Sequence, residues 1–346
     1  MDTFCVLPWF GKEIRRNQQE THCCLLPNNY NLDQIKSDLL EGIQSPFCQK
    51  CWNLENQGLK SDRQVKNESL DFFWDRNLED IKQDAANGNY QTRILKLTTS
   101  NICNATCVSC NSNDSSKWEQ LRGKTSNTRL DLEKIKDQVD FKELKMLSLL
   151  GGEPLYEKKN FELFEYLISS GNDSLFLNIV TNGSVKLTSR QKHTLSQFKN
   201  LNFSVSIDGI ESVFEYMRFP LRWDELNENL KFFNEITNNI SSNYTLSNLN
   251  ILYHNQTKAW FEENNIVYSV APVYDPIWLQ PRALSLPIKQ LLKEKLSSSD
   301  YNTFIGPFHT EQDQQNFESM LVETKKQDAL KKIQMADYMP ELASLL

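Results

Sequence analysis

Three cysteines, Cys103, Cys107 and Cys110, stand in "LTTSNICNATCVSCNSND" with the spacing C-x3-C-x2-C. Thiolates are soft ligands that select zinc, copper(I) or iron–sulfur clusters. A closed tetrahedral zinc site needs a fourth ligand, and the neighbours Asn104, Asn111, Asn113 and Asp114 are poor substitutes for one. An iron–sulfur cubane can instead be held by three cysteines, its fourth iron open to an exogenous ligand. Five more thiols lie upstream: Cys5, Cys23, Cys24, Cys48 and Cys51. Cys48 and Cys51 form a C-x2-C knuckle. With Cys5 and one of the adjacent pair Cys23 and Cys24 they make four, a full set for zinc or for a [4Fe–4S] cluster. Adjacent thiols do not easily serve one site together, so the pair leaves a spare.

The distribution of these residues narrows their use. The chain has 346 residues and 8 cysteines, and no cysteine follows Cys110. Cysteines acting as small hydrophobes would be spread through the core. A disulfide framework suits short secreted chains, and here the start "MDTFCVLPWF" places an acid where a signal peptide is basic. No apolar run approaches a membrane span. The expectation is therefore a cytoplasmic chain with reduced, metal-binding thiols. With 39% hydrophobic and 11% aromatic residues the chain can build a substantial core. Its net charge of -7, with Lys and Arg scattered, argues against a dedicated nucleic-acid surface.

The elements that must position the three-cysteine loop are strands alternating with helices. Candidate strands are "RILKLTT" from Arg93, "KMLSLLG" from Lys145, "LFLNIVT" from Leu175, "LNFSVSI" from Leu201, "LSNLNILYH" from Leu246 and "NIVYSVAPV" from Asn265. Helix-like segments separate them, so each crossover can return the chain parallel to the preceding strand. Six such units predict an α/β fold, a partial (β/α)6 barrel or an open doubly wound sheet. Active sites of such folds gather at the C-terminal ends of strands. There stand Cys103 to Cys110, then "GGEP" from Gly151 to Pro154, "TNG" from Thr181 to Gly183, and "SIDG" from Ser206 to Gly209. Residues 1–75, rich in Cys, Trp, Pro and Asn, read as a small domain needing metal to hold it; Trp9, Trp52 and Trp74 read as its core. Residues 286–346 read as a helical extension whose charges lie on a solvated face.

A C-x3-C-x2-C loop after the first barrel strand with GGEP after the second resembles the radical S-adenosylmethionine (radical SAM) superfamily, over roughly residues 93–285. The resemblance implies a partial barrel, about residues 76–285, and a catalytic [4Fe–4S] cluster on Cys103, Cys107 and Cys110. S-adenosylmethionine (SAM) would chelate the fourth iron. Gly151 and Gly152 would bring backbone close to the SAM amino group, Glu153 would accept a hydrogen bond there, and Pro154 completes the motif. Ser206 and Asp208 would meet the ribose, and Asn182 would lie near the same pocket. Arg218 would pair with the SAM carboxylate, against a surface ion pair as the plain alternative. One departure is Ser109, where the family usually places a large residue.

The N-terminal segment resembles the auxiliary-cluster modules called twitch and SPASM, here placed before the barrel. Pro8, Trp9, Trp52, Glu55 and Gly58 fit that pattern, which favours Cys23 over Cys24 as the ligand beside Cys5, Cys48 and Cys51. A second [4Fe–4S] cluster is the implied occupant, with zinc as the alternative. These resemblances imply reductive cleavage of SAM and hydrogen abstraction from a peptide or protein, with an electron donor such as flavodoxin or ferredoxin. A small metabolite, sugar or nucleotide substrate is the second reading, and a non-catalytic, metal-stapled binding protein the third.

Overall fold

The computed structural model describes residues 2–58, 60–69, 74, 76–126 and 128–346. The boundary expected at residue 75 lies outside the described residues. Among the described residues eight strands are present: β1 Gly11–Ile14, β2 Glu20–Thr21, β3 Ile94–Thr98, β4 Met146–Leu150, β5 Phe176–Thr181, β6 Asn200–Val205, β7 Ile240–Leu246 and β8 Val267–Pro272. Their order is β2-β1-β3-β4-β5-β6-β7-β8. β2 is antiparallel to β1, and the other recorded pairings are parallel. This is the mixed α/β architecture of a partial barrel, built from parallel strands with helical crossovers. Contacts divide the chain into two units, one of Met1–Ser100, Thr128–Ile179 and Thr188–Leu201, the other of Asn101–Asn127, Val180–Leu187 and Asn202–Leu346.

In the first unit β3 "ILKLT" and β4 "MLSLL" pair in register, Leu95 with Leu147 and Leu97 with Leu149, and all four leucines are inaccessible. β1 and β2 were not legible, because four-residue and two-residue strands carry too little alternation to stand out. The N-terminal segment contributes a compact apolar cluster of Phe4, Val6, Trp9, Ile35, Trp52 and Ile81. Its helices, Leu32–Leu40, Gln49–Asn56, Asp62–Glu68 and Leu78–Ala86, are too short for a strong periodic signal. Side-chain caps set three of their starts. Asn31, Ser61 and Asn77 each accept from a backbone N–H in the first turn.

In the second unit β7 alternates strictly, with Ile240, Ser242, Tyr244 and Leu246 buried. Aromatic stacking ties the strands to their helices: Phe203 to Phe233 at 4.1 Å between ring centroids, and Phe261 to Tyr268 at 4.7 Å. The fifth strand expected at "LSNLNILYH" is a correction. The strand is Ile240–Leu246, and the quoted residues form a turn, a short 3-10 helix Ile251–Tyr253 and the start of helix His254–Glu263. Asn250 breaks the strand: its Oδ1 accepts from Ser247 N and Oγ, and its Nδ2 donates to Asp208 O and Thr245 O. The C-terminal helices include Leu286–Lys295 and the 21-residue Glu311–Lys331. The expectation that the charges of this tail are solvated fails for Asp313, Lys289 and Lys331, which are buried. On Glu311–Lys331 the buried positions Asp313, Phe317, Met320, Thr324, Gln327 and Lys331 recur every three or four residues, and the inward stripe is largely polar. No helix among the described residues is long and apolar enough to cross a membrane.

Candidate functional site

Cys103, Cys107 and Cys110 lie in the second unit and are not in disulfides. Their loop is held by its backbone on three sides. Ser115 and Ser116, which open helix Ser116–Leu121, bind it at the start: Ser116 Oγ accepts from Cys103 N at 3.1 Å and Ser115 Oγ donates to Ala105 O at 2.7 Å. Trp118 Nε1 donates to Cys107 O at 3.0 Å. From a second side, Phe219 O accepts from Thr106 N at 2.6 Å and Met217 O accepts from Val108 N at 2.8 Å. From the third, Gln327 of helix Glu311–Lys331 donates to Val108 O at 3.3 Å. The thiols are close enough to raise one another. Burial pushes the Cys110 thiol up and the neighbouring Cys107 and Cys103 add to it. Burial also raises Cys107, while Arg218 pulls it back. Soft ligands with their backbone fixed and none in a disulfide fit an iron–sulfur cluster.

The residues expected around a bound nucleotide fall in two groups. In the second unit, Arg218 and Asp208 meet each other, Nη2 to Oδ2 at 2.7 Å, both buried. Asp208 Oδ1 accepts from Thr245 N at 2.9 Å, and Arg218 Nη1 lies 3.8 Å from Cys107 Sγ. Burial opposes the charge on Arg218, but Asp208 and Cys107 outweigh it and raise its pKa. Beyond that ion pair, Asp208 Oδ2 and Arg218 Nε have no further hydrogen-bond partner among the described residues. Asn182 Nδ2 donates to Asn104 Oδ1 at 2.8 Å and its Oδ1 accepts from Ser184, which clamps the loop between Cys103 and Cys107. Ser206 N donates to Thr181 O at 2.8 Å.

GGEP lies in the first unit. Gly151 has a φ of 151°, and a Cβ there would stand 2.6 Å from Ser100 O. Gly152 N donates to that same oxygen at 2.8 Å. The buried Glu153 carboxylate accepts from Leu155 N, and Pro154 O accepts from Asn160 Nδ2. The motif is thus a backbone turn at the end of β4 with its carboxylate folded inward.

Also in the first unit, Cys5, Cys23, Cys48 and Cys51 line one small apolar cavity with Leu7 and Arg63. Cys24 is exposed and is not among its lining residues. A hydrogen bond between the adjacent thiols raises Cys23 and lowers Cys24. Burial pushes the Cys48 thiol up to about 11. Sequence reasoning missed Arg63. Its guanidinium bridges both Glu55 oxygens, at 3.0 and 2.7 Å, donates to Phe4 O at 2.8 Å and faces the Trp52 ring. Among the described residues no three His, Cys, Asp or Glu converge as ligands of a single ion would. A further cavity, lined by Arg76, Asp84, Arg93, Glu143 and Lys145, is at the N-terminal ends of β3 and β4, and its arginines already pair with its acids.

Residues 92–225 match the family model described as a 4Fe-4S single cluster domain. That segment spans β3 to the helix after Arg218 and contains the three-cysteine loop, but is less than half of the chain. No curated protein matches. Among solved structures, native anSMEcpe with bound AdoMet is similar at 18% identity and a TM-score of 0.39, covering 53% of this chain and 52% of that one. Streptococcus suis SuiB bound to S-adenosylmethionine is similar at 15% identity and a TM-score of 0.40, covering 84% and 67% respectively. The chain thus spans about half the length of the first of these. At these scores the description of the fold rests on the chain's own strand order and crossovers.

Proposed function

We propose that this chain is a radical SAM enzyme with a second iron–sulfur site in an N-terminal module, acting on a peptide or protein. The single observation that carries the reading is the loop of Cys103, Cys107 and Cys110. It offers three thiols that form no disulfide, on a backbone pinned on three sides, inside the segment that matches a 4Fe-4S cluster domain. Cys103, Cys107 and Cys110 would hold a [4Fe–4S] cluster whose fourth iron takes SAM. Bound there, a reduced cluster would pass one electron to SAM, whose S–C5' bond would break to leave methionine and a 5'-deoxyadenosyl radical able to take hydrogen from an unactivated C–H bond.

The chain's own residues position and screen. Arg218 sets a fixed cation beside Cys107, and Asp208 keeps that guanidinium in place while tying down Thr245 N. Asn182 fixes the loop through Asn104. Gly151 and Gly152 keep side chains away from the backbone at the end of β4, leaving carbonyl groups for a SAM amino group, with Glu153 and Pro154 beside them; Ser206, in the second unit, would meet the ribose. Cys5, Cys23, Cys48 and Cys51 would hold the auxiliary cluster, with residues 1–75 as its module, 76–285 as the barrel and 286–346 as the extension. A cavity lined by four thiols supports that ligand set. The peptide substrate rests on the likeness of this module to those of peptide-modifying enzymes, and a low-potential protein such as flavodoxin or ferredoxin would donate the electron.

Anaerobic reconstitution tests the reading. The expected result is about eight irons per chain, with 5'-deoxyadenosine released on reduction with SAM. Cys107→Ala should abolish that release and keep roughly half of the iron. Zinc in place of iron, with no SAM cleavage, would establish a metal-stapled binding protein instead.

A further inference from the structure

The helix Glu311–Lys331 ends on a cation with no anion. Lys331 is 6% exposed. Its Nζ lies 3.4 Å from Gln327 Oε1, and sits over the rings of Trp118 and Tyr216 at 5.0 and 5.9 Å from their centroids. The acid nearest on its own helix, Asp328, is engaged elsewhere: it accepts from Tyr216 OH at 2.8 Å and Met335 N at 2.9 Å. No carboxylate forms an ion pair with Lys331 among the described residues. A buried ammonium without a charged partner is costly, unless a negative charge arrives beside it. The helix C-terminus gives partial compensation through its unsatisfied carbonyls. Burial lowers the Lys331 pKa to about 8, and the groups that raise it again are Cys107, Asp328 and Cys110.

The architecture around Lys331 aims at the same loop. The Trp118 ring that faces Lys331 donates through Nε1 to Cys107 O. Gln327, one turn before Lys331, donates to Val108 O. Gln327 thus binds the loop directly, and Lys331 meets it through the Trp118 ring. The other cation at the loop, Arg218, is already paired with Asp208. Three thiolates add negative charge, so the unpaired cation is the one available to balance it.

We propose that Lys331 is a positioning residue of the cluster loop, a buried cation that balances the cysteine-bound cluster and holds its reduction potential up. This rests on the reading that Cys103, Cys107 and Cys110 hold a [4Fe–4S] cluster. A nearby positive charge stabilises the reduced, more negative cluster. Removing it shifts the midpoint to more negative values and leaves the thiol ligands in place.

The test uses the full chain, reconstituted anaerobically, and follows the electron paramagnetic resonance signal that changes on adding SAM. Lys331→Met should move its midpoint negative, and Lys331→Arg should keep it near that of the unsubstituted chain. A second measurement is the melting temperature of the metal-free chain. Lys331→Met should raise it, because an unpaired buried charge is gone, and should lower it in the reconstituted chain. A lysine that merely packs would lower both. A SAM-responsive signal with an unchanged midpoint overturns the proposal and spares the cluster reading. So does a metal-free Lys331→Met chain that melts earlier, and this measurement decides the matter if that variant takes up no cluster. Absence of a SAM-responsive signal in the unsubstituted chain overturns the cluster reading, and the proposal with it.

Discussion

Gly151 occupies backbone space that a side chain would close. Its φ of 151° and the 2.6 Å approach of Ser100 O to an added Cβ both oppose substitution. Gly151→Ala should therefore cost roughly 2 kcal/mol or more in urea unfolding, whereas Gly58→Ala, with nothing within 4 Å of its Cβ, is strained by φ alone and should cost less. The motif glycine was legible because Gly-Gly at a strand end signals close approach. Lys331 was not legible, since a lysine near a helix end is normally solvated and favoured there by the dipole. The only trace in the sequence is its spacing from Phe317, Met320, Thr324 and Gln327, which the charge itself masked. Arg63 was hidden for a different reason: its partner Glu55 lies in another helix, so no local pattern joins them.

At the scale of elements, the helix Glu311–Lys331 starts with a reciprocal cap. Thr310 Oγ1 accepts from Asp313 N at 3.2 Å and Asp313 Oδ2 accepts from Thr310 N at 2.9 Å. Asp313 also holds Arg282 and Lys289, at 2.8 and 2.9 Å. Thr310→Ala should lower stability by about 1 kcal/mol, seen as a lower urea midpoint at unchanged slope. No loss would mean that the Asp313 cluster alone fixes the start. Strands β3, β4, β5, β6 and β8 were legible from alternation or apolar runs. β7 was misplaced by one element, because "ISSNYTL" is half polar while "LNILY" is apolar enough to imitate a strand. The Asn250 hydrogen bonds that end it are tertiary, reaching Asp208, and no single-segment pattern contains them.

The whole molecule should be acid-sensitive in a definable window. His254 is fully buried, its Nε2 lies 3.7 Å from Asp300 Oδ2, neither ring nitrogen has a closer hydrogen-bond partner among the described residues, and its ring stacks on Tyr244. Burial lowers its pKa from the ordinary 6.5 to about 4, although Asp300 opposes this. The unfolded chain then binds the proton first, so stability is fully present above about pH 6.5 and is lost as pH falls toward 4, by at most about 3 kcal/mol. His254→Phe should flatten the fall in melting temperature over that window; an unchanged fall would mean that groups other than His254 set it. The grip of Gln327 on Val108 bridges 219 positions of chain. During translation, therefore, the thiols of the three-cysteine loop leave the ribosome long before the helix that roofs them exists. If the loop takes a cluster, an iron carrier working on the nascent polypeptide would meet it before the Gln327 contact exists.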